Sequence, residues 1–209
     1  MRAGEVLAEK AGGEKSTHSD QLLSDVNEIL KKNNLDLKQV NLLAVAVGPG
    51  SFTGLRIGLS TVKGLGRALK IPIAGIPTLA AAAACFSKGG EVSAVLPAGR
   101  SEYFLQSFYK CSEKGLKPVS EIDIYTEKKI KEKVTASENS NWISTAEITG
   151  IISAEKQNLN LNVQILPANL AISVGQIAFE AYLNGNLKDY QPFPVYARGA
   201  DTGGNKNAK

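Results

Sequence analysis

The strongest constraint on the fold is an uninterrupted apolar run, Leu42 to Val47, that stops at Gly48-Pro49-Gly50 and re-enters a helical pattern at Thr53. A run without polar alternation suits a strand buried on both faces, as in a sheet covered by helices on each side. A strand that breaks at glycines and becomes a helix leaves a row of backbone N–H groups free, the usual place for an anion or a partner contact. From Thr53 to Leu69 the helix carries Leu55, Leu59, Val62, Gly66 and Leu69 as one stripe, with Arg56, Ser60, Lys63, Arg67 and Lys70 beside it. Gly54, Gly58 and Thr61 are small enough to let another helix approach closely.

Other elements follow the same rhythm. Leu22, Leu23, Val26, Ile29 and Leu30 recur at helical spacing behind Ser16-Thr17-His18-Ser19-Asp20, and the pattern stops at Asn33-Asn34. Ile71 to Ile76 reads as a strand interrupted by Pro72, and Thr78 to Phe86 as an alanine-rich helix. Glu5 to Glu9 alternates and reads as a strand remnant. After Lys88-Gly89-Gly90 the texture changes: Val92 to Leu96 pairs with Tyr103 to Tyr109 across a turn at Pro97 to Ser101, and Val119 to Tyr125 adds a third strand. Glu127 to Lys133 is a short charged helix, Trp142 to Ser144 and Val163 to Leu166 are strands, and Leu170 to Leu183 is the final helix, ended by Asn184-Gly185-Asn186. The polar tail Asp201 to Lys209 is expected to be disordered.

With 209 residues the chain holds either one large domain or two lobes of about 100 residues each. Cys85 and Cys111 have no His or Cys at ligand spacing, so neither a disulfide framework nor a zinc site is indicated and a reducing cytoplasm is the default. No signal-peptide h-region or membrane span is expected. The net charge of +4 is unevenly placed: no Asp or Glu occurs from Leu37 to Gly90, where Lys38, Arg56, Lys63, Arg67, Lys70 and Lys88 all fall. That field favours phosphate, nucleic acid or an acidic protein surface, and equally describes solvated helix residues.

The catalytic inventory is thin. No register of residues 48–58 supplies a P-loop, because no Lys occurs before Lys63. A dinucleotide fold wants an acid after the next strand, which instead ends Ala74-Gly75-Ile76-Pro77. His18 is the only histidine and sits among helix caps, so a Ser-His-Asp or Cys-His arrangement has nothing else to draw on. Metal is not expected. Gly48, Gly50, Ser51 and Thr53 remain candidates for a phosphate or nucleotide contact, against the reading that Ser51 or Thr53 caps the helix.

Residues 48–58, Gly48-Pro49-Gly50-Ser51-Phe52-Thr53-Gly54-Leu55-Arg56-Ile57-Gly58, followed by Lys63-Gly64-Leu65, resemble the signature of the TsaB (YeaZ) family of tRNA threonylcarbamoyladenosine synthesis. Weaker similarity runs in order through His18-Ser19 to Leu30, Ile71 to Leu79, Glu102 to Tyr109, Leu166-Pro167-Ala168 and Pro194-Val195-Tyr196-Ala197-Arg198. The resemblance implies an α/β, two-lobed fold of the actin-like, sugar-kinase and heat-shock ATPase (RNase H-like) superfamily. In this sequence the lobes would be residues 1–88 and 89–183, with residues 184–209 returning to the first lobe. It further implies a cytoplasmic, non-catalytic paralogue of TsaD that pairs with it through a helical bundle. With the ATPase TsaE, the pair helps transfer threonylcarbamoyl to N6 of adenosine 37 in tRNA. The nucleotide and metal would belong to the partners, and the same surface would serve a homodimer. Carried over to this chain, that surface comprises Leu22, Leu23, Val26, Ile29, Leu30, Gly54, Arg56, Gly58, Thr61 and Lys63. The alternative function is an enzyme binding nucleotide or phosphate at Gly48 to Gly54; a third reading is direct tRNA binding by Lys63, Arg67 and Lys70, on a helix without interleaved aromatics.

Two departures from the family pattern stand out. Two strands that precede Gly4-Glu5-Val6-Leu7-Ala8 in the family have no counterpart here, which should leave a sheet edge unpaired. Pro97-Ala98-Gly99-Arg100-Ser101-Glu102 stands where the family has Asp-Ala-Arg before Gly-Glu.

Overall fold

The apolar run forms β1 (Leu43–Gly48), paired in parallel with β2 (Ile73–Pro77), so that Leu43 lies opposite Ile73 and Ala46 opposite Ile76. Helix α1 (His18–Lys32) precedes the pair, α2 (Phe52–Leu69) crosses between its strands, and α3 (Thr78–Ala84) leaves β2 without a loop. This is a computed structural model, and it describes residues 1–11, 18–111, 115–136, 139–155 and 160–197. The caps Ser16 and Thr17, the side chains of His18, Ser19 and Asp20, Arg198 and the tail Asp201 to Lys209 lie outside the described residues.

The second sheet is built from β3 (Gly90–Gly99), β4 (Glu102–Cys111), β5 (Gly115–Pro118), β6 (Asp123–Thr126), β7 (Asn139–Ser144) and β8 (Asn160–Ile165). Its order is β5-β4-β3-β7-β8, with β6 also on β4. β3 and β4 are an antiparallel hairpin whose two central turn residues, Arg100 and Ser101, have φ of 55° and 56°, the left-handed pair of a tight hairpin turn. Of the single strand expected from Val119 to Tyr125, only Asp123 to Tyr125 is strand, in β6; residues 119–122 connect it to β5, which ends at Pro118, and the two strands pair with different parts of β4. Helices α4 (Glu127–Thr135) and α5 (Ala146–Ala154) cover one face, burying Ile130, Val134, Ile148 and Ile152 with Trp142. The sequence reading passed over α5, although Ile148, Ile151 and Ile152 carry its spacing.

Helix α3 lies between the two sheets. Its Leu79, Ala82 and Ala83 pack with Val92, Ala94, Phe104 and Ile143 of the second sheet, while Ala81 packs with Ala74, Ile76, Val174 and Ala178. The last two belong to α6 (Ala171–Leu183), which covers β1 and β2. A boundary at residue 183 therefore put α6 on the wrong side: the chain has returned to the first sheet by Ala171. Residues 190–197 continue that return as a strap, with Gly75 N donating to Tyr190 O (2.8 Å) and Val195 N to Val47 O (2.7 Å).

One edge of β1 stays open. Leu43 N donates to Pro72 O at 3.1 Å on the β2 side. Backbone groups alternate along a strand, so those of Ala44 and Ala46 turn to the opposite edge, where no described strand pairs with them. A cavity of about 890 Å³ lined by Leu42, Ala44, Val62, Val174 and Phe179 flanks this edge, and another of about 550 Å³ lined by Leu22, Val26, Ile29 and Val45 lies under α1. No strand forms at Glu5 to Glu9; residues 2 and 5 exchange backbone bonds across a tight turn, and Lys10 ties the segment to α1 through Asp25 (2.7 Å) and Glu28.

Two outcomes follow from this packing. A Cβ on Gly75 would lie 2.5 Å from Gln191 O, 2.6 Å from Val47 Cγ1 and 2.8 Å from Pro192 Cα, so Gly75→Ala must displace the strap. Overpacking of this kind costs about 1–3 kcal/mol, to be read as a lower urea midpoint at unchanged m-value. Glu28 is held down from 4.5 to about 2 by hydrogen bonds from Lys10 and then Lys32. A depressed carboxyl contributes stability that is present above its ordinary value of 4.5 and lost as pH falls toward 2. NMR titration of the Glu28 side chain should show that low midpoint, and Lys10→Gln should raise it.

Candidate functional site

The turn between β1 and α2 is held from three directions. Gly48 has φ +110°, its N–H donates to Thr78 Oγ1 at 3.2 Å, and a Cβ there would sit 2.5 Å from Val195 O. Only glycine meets both the positive φ and the approach of the strap. Ser51 caps α2, its Oγ accepting from Gly54 N at 3.3 Å. Of the four residues expected to face a phosphate, Gly48 is buried with its N–H engaged, while Gly50, Ser51 and Thr53 are exposed. Ser51 resolves the choice of cap.

Helix α2 divides into three faces, each set by a step of about 100° per residue. Its inner face carries Leu59 and Gly66; the latter, whose Cβ would lie 2.6 Å from Ile73 Cδ1, is a close-packing glycine. Gly58 also turns inward, 3.6 Å from Val45 Cγ2 by the same construction. The sequence reading placed Gly58 on a partner surface, but the stripe of small residues it belongs to is divided between the helix's own sheet and solvent. The outward small-residue face is Thr53, Ser60 and Gly64, all exposed, and a Cβ on Gly64 would meet nothing within 4 Å. Sequence spacing alone did not single out Gly64, because nothing local says which side of the helix the sheet takes.

The α1 residues separate in the same way. Leu22, Val26, Ile29 and Leu30 are half-buried and line the cavities beside β1, whereas Leu23 is 53% exposed. Gly54 and Thr61 are half-buried, and Gly54 lines the cavity under α1. Arg56 and Lys63 occupy the third face of α2, beside the strap: the Arg56 guanidinium lies 4.0 Å from the centre of the Phe52 ring and Lys63 Nζ lies 5.3 Å from that of Phe193. Phe52 in turn meets Tyr196 at 5.6 Å between ring centres. These three aromatics were not read as functional from sequence, since Phe193 and Tyr196 are far from α2 along the chain.

Reactive groups do not converge. Among the described residues no three of His, Cys, Asp and Glu gather as metal ligands would. Cys85, at the end of α3, is half-buried, with its Sγ donating to Ala81 O (3.4 Å) of the same helix and 2.9 Å from Ser173 Oγ, the contact that ties α3 to α6. No helix of the described residues is long and apolar enough to cross a membrane.

Comparison with known proteins adds the following. A family model described as TsaD, tRNA N6-adenosine threonylcarbamoyltransferase, matches residues 6–179. The tRNA threonylcarbamoyladenosine biosynthesis protein TsaB of Haemophilus influenzae is 40% identical over 94 residues, 43% of this chain and 40% of that protein. The TsaB of Escherichia coli is 40% identical over 62 residues, 30% of this chain and 27% of that one. That of Bacillus subtilis is 34% identical over 84 residues, 40% and 37% of the two chains. The matched stretches thus span less than half the length of these curated relatives. The solved structure of YeaZ from Pseudomonas aeruginosa superposes with a TM-score of 0.68 at 23% identity, covering 87% of this chain and 85% of that chain, which establishes the fold.

With Ser51 spent on the cap, Ser51→Ala should destabilise the protein by about 1 kcal/mol in chemical unfolding. Millimolar inorganic phosphate should leave the melting temperature of the unmodified chain unchanged; a rise would restore the phosphate reading of the turn.

Proposed function

The chain belongs to the TsaD family, and on that premise we propose that it serves threonylcarbamoyladenosine synthesis in tRNA as a non-catalytic partner subunit. The name carried by its curated relatives supports the pathway. In this reading the chain pairs with a TsaD-type paralogue, works with the ATPase TsaE in the cytoplasm, and leaves nucleotide and metal to those partners. A second copy of the chain would use the same surface.

The observation that carries the reading is the outward face of α2. Gly64 has open space around it, Thr53 and Ser60 flank it, and exposed Leu23 stands on the neighbouring helix α1. Small residues on an exposed helix face let a second pair of helices approach with full van der Waals contact, and a glycine in the middle of an exposed helix otherwise costs about 0.5–1 kcal/mol with no return. The engagement of Gly48 N by Thr78 and of Gly54 N by Ser51 also argues against a nucleotide cradle in the turn.

Gly64→Leu separates folding from pairing. Leucine is the better helix former by up to about 1 kcal/mol, so thermal stability should hold or rise. Association with purified TsaD, followed by size-exclusion chromatography and titration calorimetry, should weaken by about tenfold or more; unchanged affinity would remove this face from the interface.

A further inference from the structure

The third face of α2 is neither core nor part of the small-residue surface, and its composition is unusual for a solvated helix. Phe52, Phe193 and Tyr196 are 45%, 65% and 48% exposed. These rings are spread along one face, Phe52 against Tyr196 and Phe193 against Lys63 about 16 Å further along α2, and a row of exposed rings beside cations is a feature that marks a contact surface. The strap is pinned where the rings project: Val195, between the two strap aromatics, donates its N–H to Val47 O, and its carbonyl closes on Gly48. The rings are thus mounted on an ordered backbone.

Charge points to the occupant. Arg56 and Lys63 lie over the rings, and Arg67 continues the row, about 16 Å from Arg56 along the helix axis. No acidic residue occurs between Leu37 and Gly90. Among the described residues the ion pairs include those of Lys10, Lys32, Lys128 and Lys131, and Arg56, Lys63 and Arg67 make none. Cations without carboxylate partners, interleaved with exposed aromatic faces, match a ligand that is polyanionic and also carries flat π-systems. An acidic protein surface satisfies the first property but carries flat rings only where its own Phe, Tyr or Trp are exposed, not as a repeating partner to every charge. A nucleic acid duplex keeps its bases stacked inside, so the rings would find nothing to stack on.

We propose that Phe52, Arg56, Lys63, Phe193 and Tyr196 form a binding platform for a single-stranded polynucleotide, with bases stacked on the strap rings and phosphates against the α2 cations. That the natural ligand is RNA rests on the tRNA-linked reading above; the stacking and charge argument does not depend on it. The absence of aromatics on α2 beyond Phe52, which weighed against base stacking in the sequence, is made good by the strap.

Fluorescence anisotropy with labelled, unstructured oligoribonucleotides of about a dozen residues tests the platform on the isolated full chain, with a DNA strand of equal sequence and an RNA duplex as further arms. The expected result is binding of both single strands ahead of the duplex. The slope of log affinity against log salt should be near −2, from about three phosphate contacts at about −0.7 each. Replacing both strap rings (Phe193→Ala with Tyr196→Ala) should lower single-strand affinity about tenfold or more at unchanged salt slope, and Phe193→Tyr should retain it. Lys63→Gln should shorten the slope by about 0.7. Both rings are solvent-facing, so circular dichroism and melting should match the parent chain. No binding by the isolated chain overturns the proposal, as does salt-dependent binding indifferent to the rings, which would mark a plain basic surface. Ring removal that weakens association with TsaD but leaves oligonucleotide binding intact would reassign the patch to a protein. Pairing with TsaD is scored separately through Gly64, so the failure of either reading is recognised without the other.

Discussion

Helix α3 is the contact through which the rest of the structure is positioned. It is packed on two sides, by the second sheet through Leu79, Ala82 and Ala83 and by β2 and α6 through Ala81, and every one of these residues is fully buried. Alanine is the residue that lets a helix sit between two layers at close spacing without losing helix propensity. A larger side chain at Ala81 or Ala82 would have to separate the layers. The first residue of the same helix, Thr78, accepts the hydrogen bond from Gly48 that fixes the β1–α2 turn. The core that joins the sheets therefore also orients α2.

Close backbone approach is the second device. The strap reaches β1 and β2 because Gly48 and Gly75 have no Cβ to obstruct Val195 O, Gln191 O and Pro192 Cα. It brings Phe193 and Tyr196 beside Phe52, Arg56 and Lys63, and so builds a surface from two stretches of chain separated by more than a hundred residues. Helix α2 then presents a different chemistry in each direction: packing to its own sheet, small residues around Gly64, and rings with cations beside the strap. The open edge of β1, with an apolar cavity on either side, is the place where this arrangement leaves backbone polar groups and hydrocarbon uncovered at once.

Much of this was legible in the chain. The apolar run at Leu42 to Val47, the glycine break, and the stripes of α1, α2 and α6 are local patterns whose periods follow from strand and helix geometry, and each became the expected element within a few residues. The hairpin of β3 and β4 was readable for the same reason. Other features were less readable. The strand expected over 119–125 forms only from Asp123 on, because β4 is already paired by β5 up to Pro118 and residues 119–122 serve as the connection to β6. The α5 signal was short and interrupted by Gly150.

The candidate site shows where local pattern stops. Residue spacing put Gly58 and Gly64 on a helix and made both small, but which of them is turned away from the sheet depends on the side from which β1 packs, a long-range fact. Sequence likewise placed Arg56 and Lys63 in a positive field on a helix without interleaved aromatics beyond Phe52; the fold supplied two more rings from the C-terminal strap. By itself, the sequence determined the kinds of element, their order and the family, because periodicity, glycine breaks and a long motif are properties of neighbouring residues. Which faces of those elements are buried and which are left to meet a ligand was decided only by tertiary structure, because burial depends on which distant segments pack against each helix.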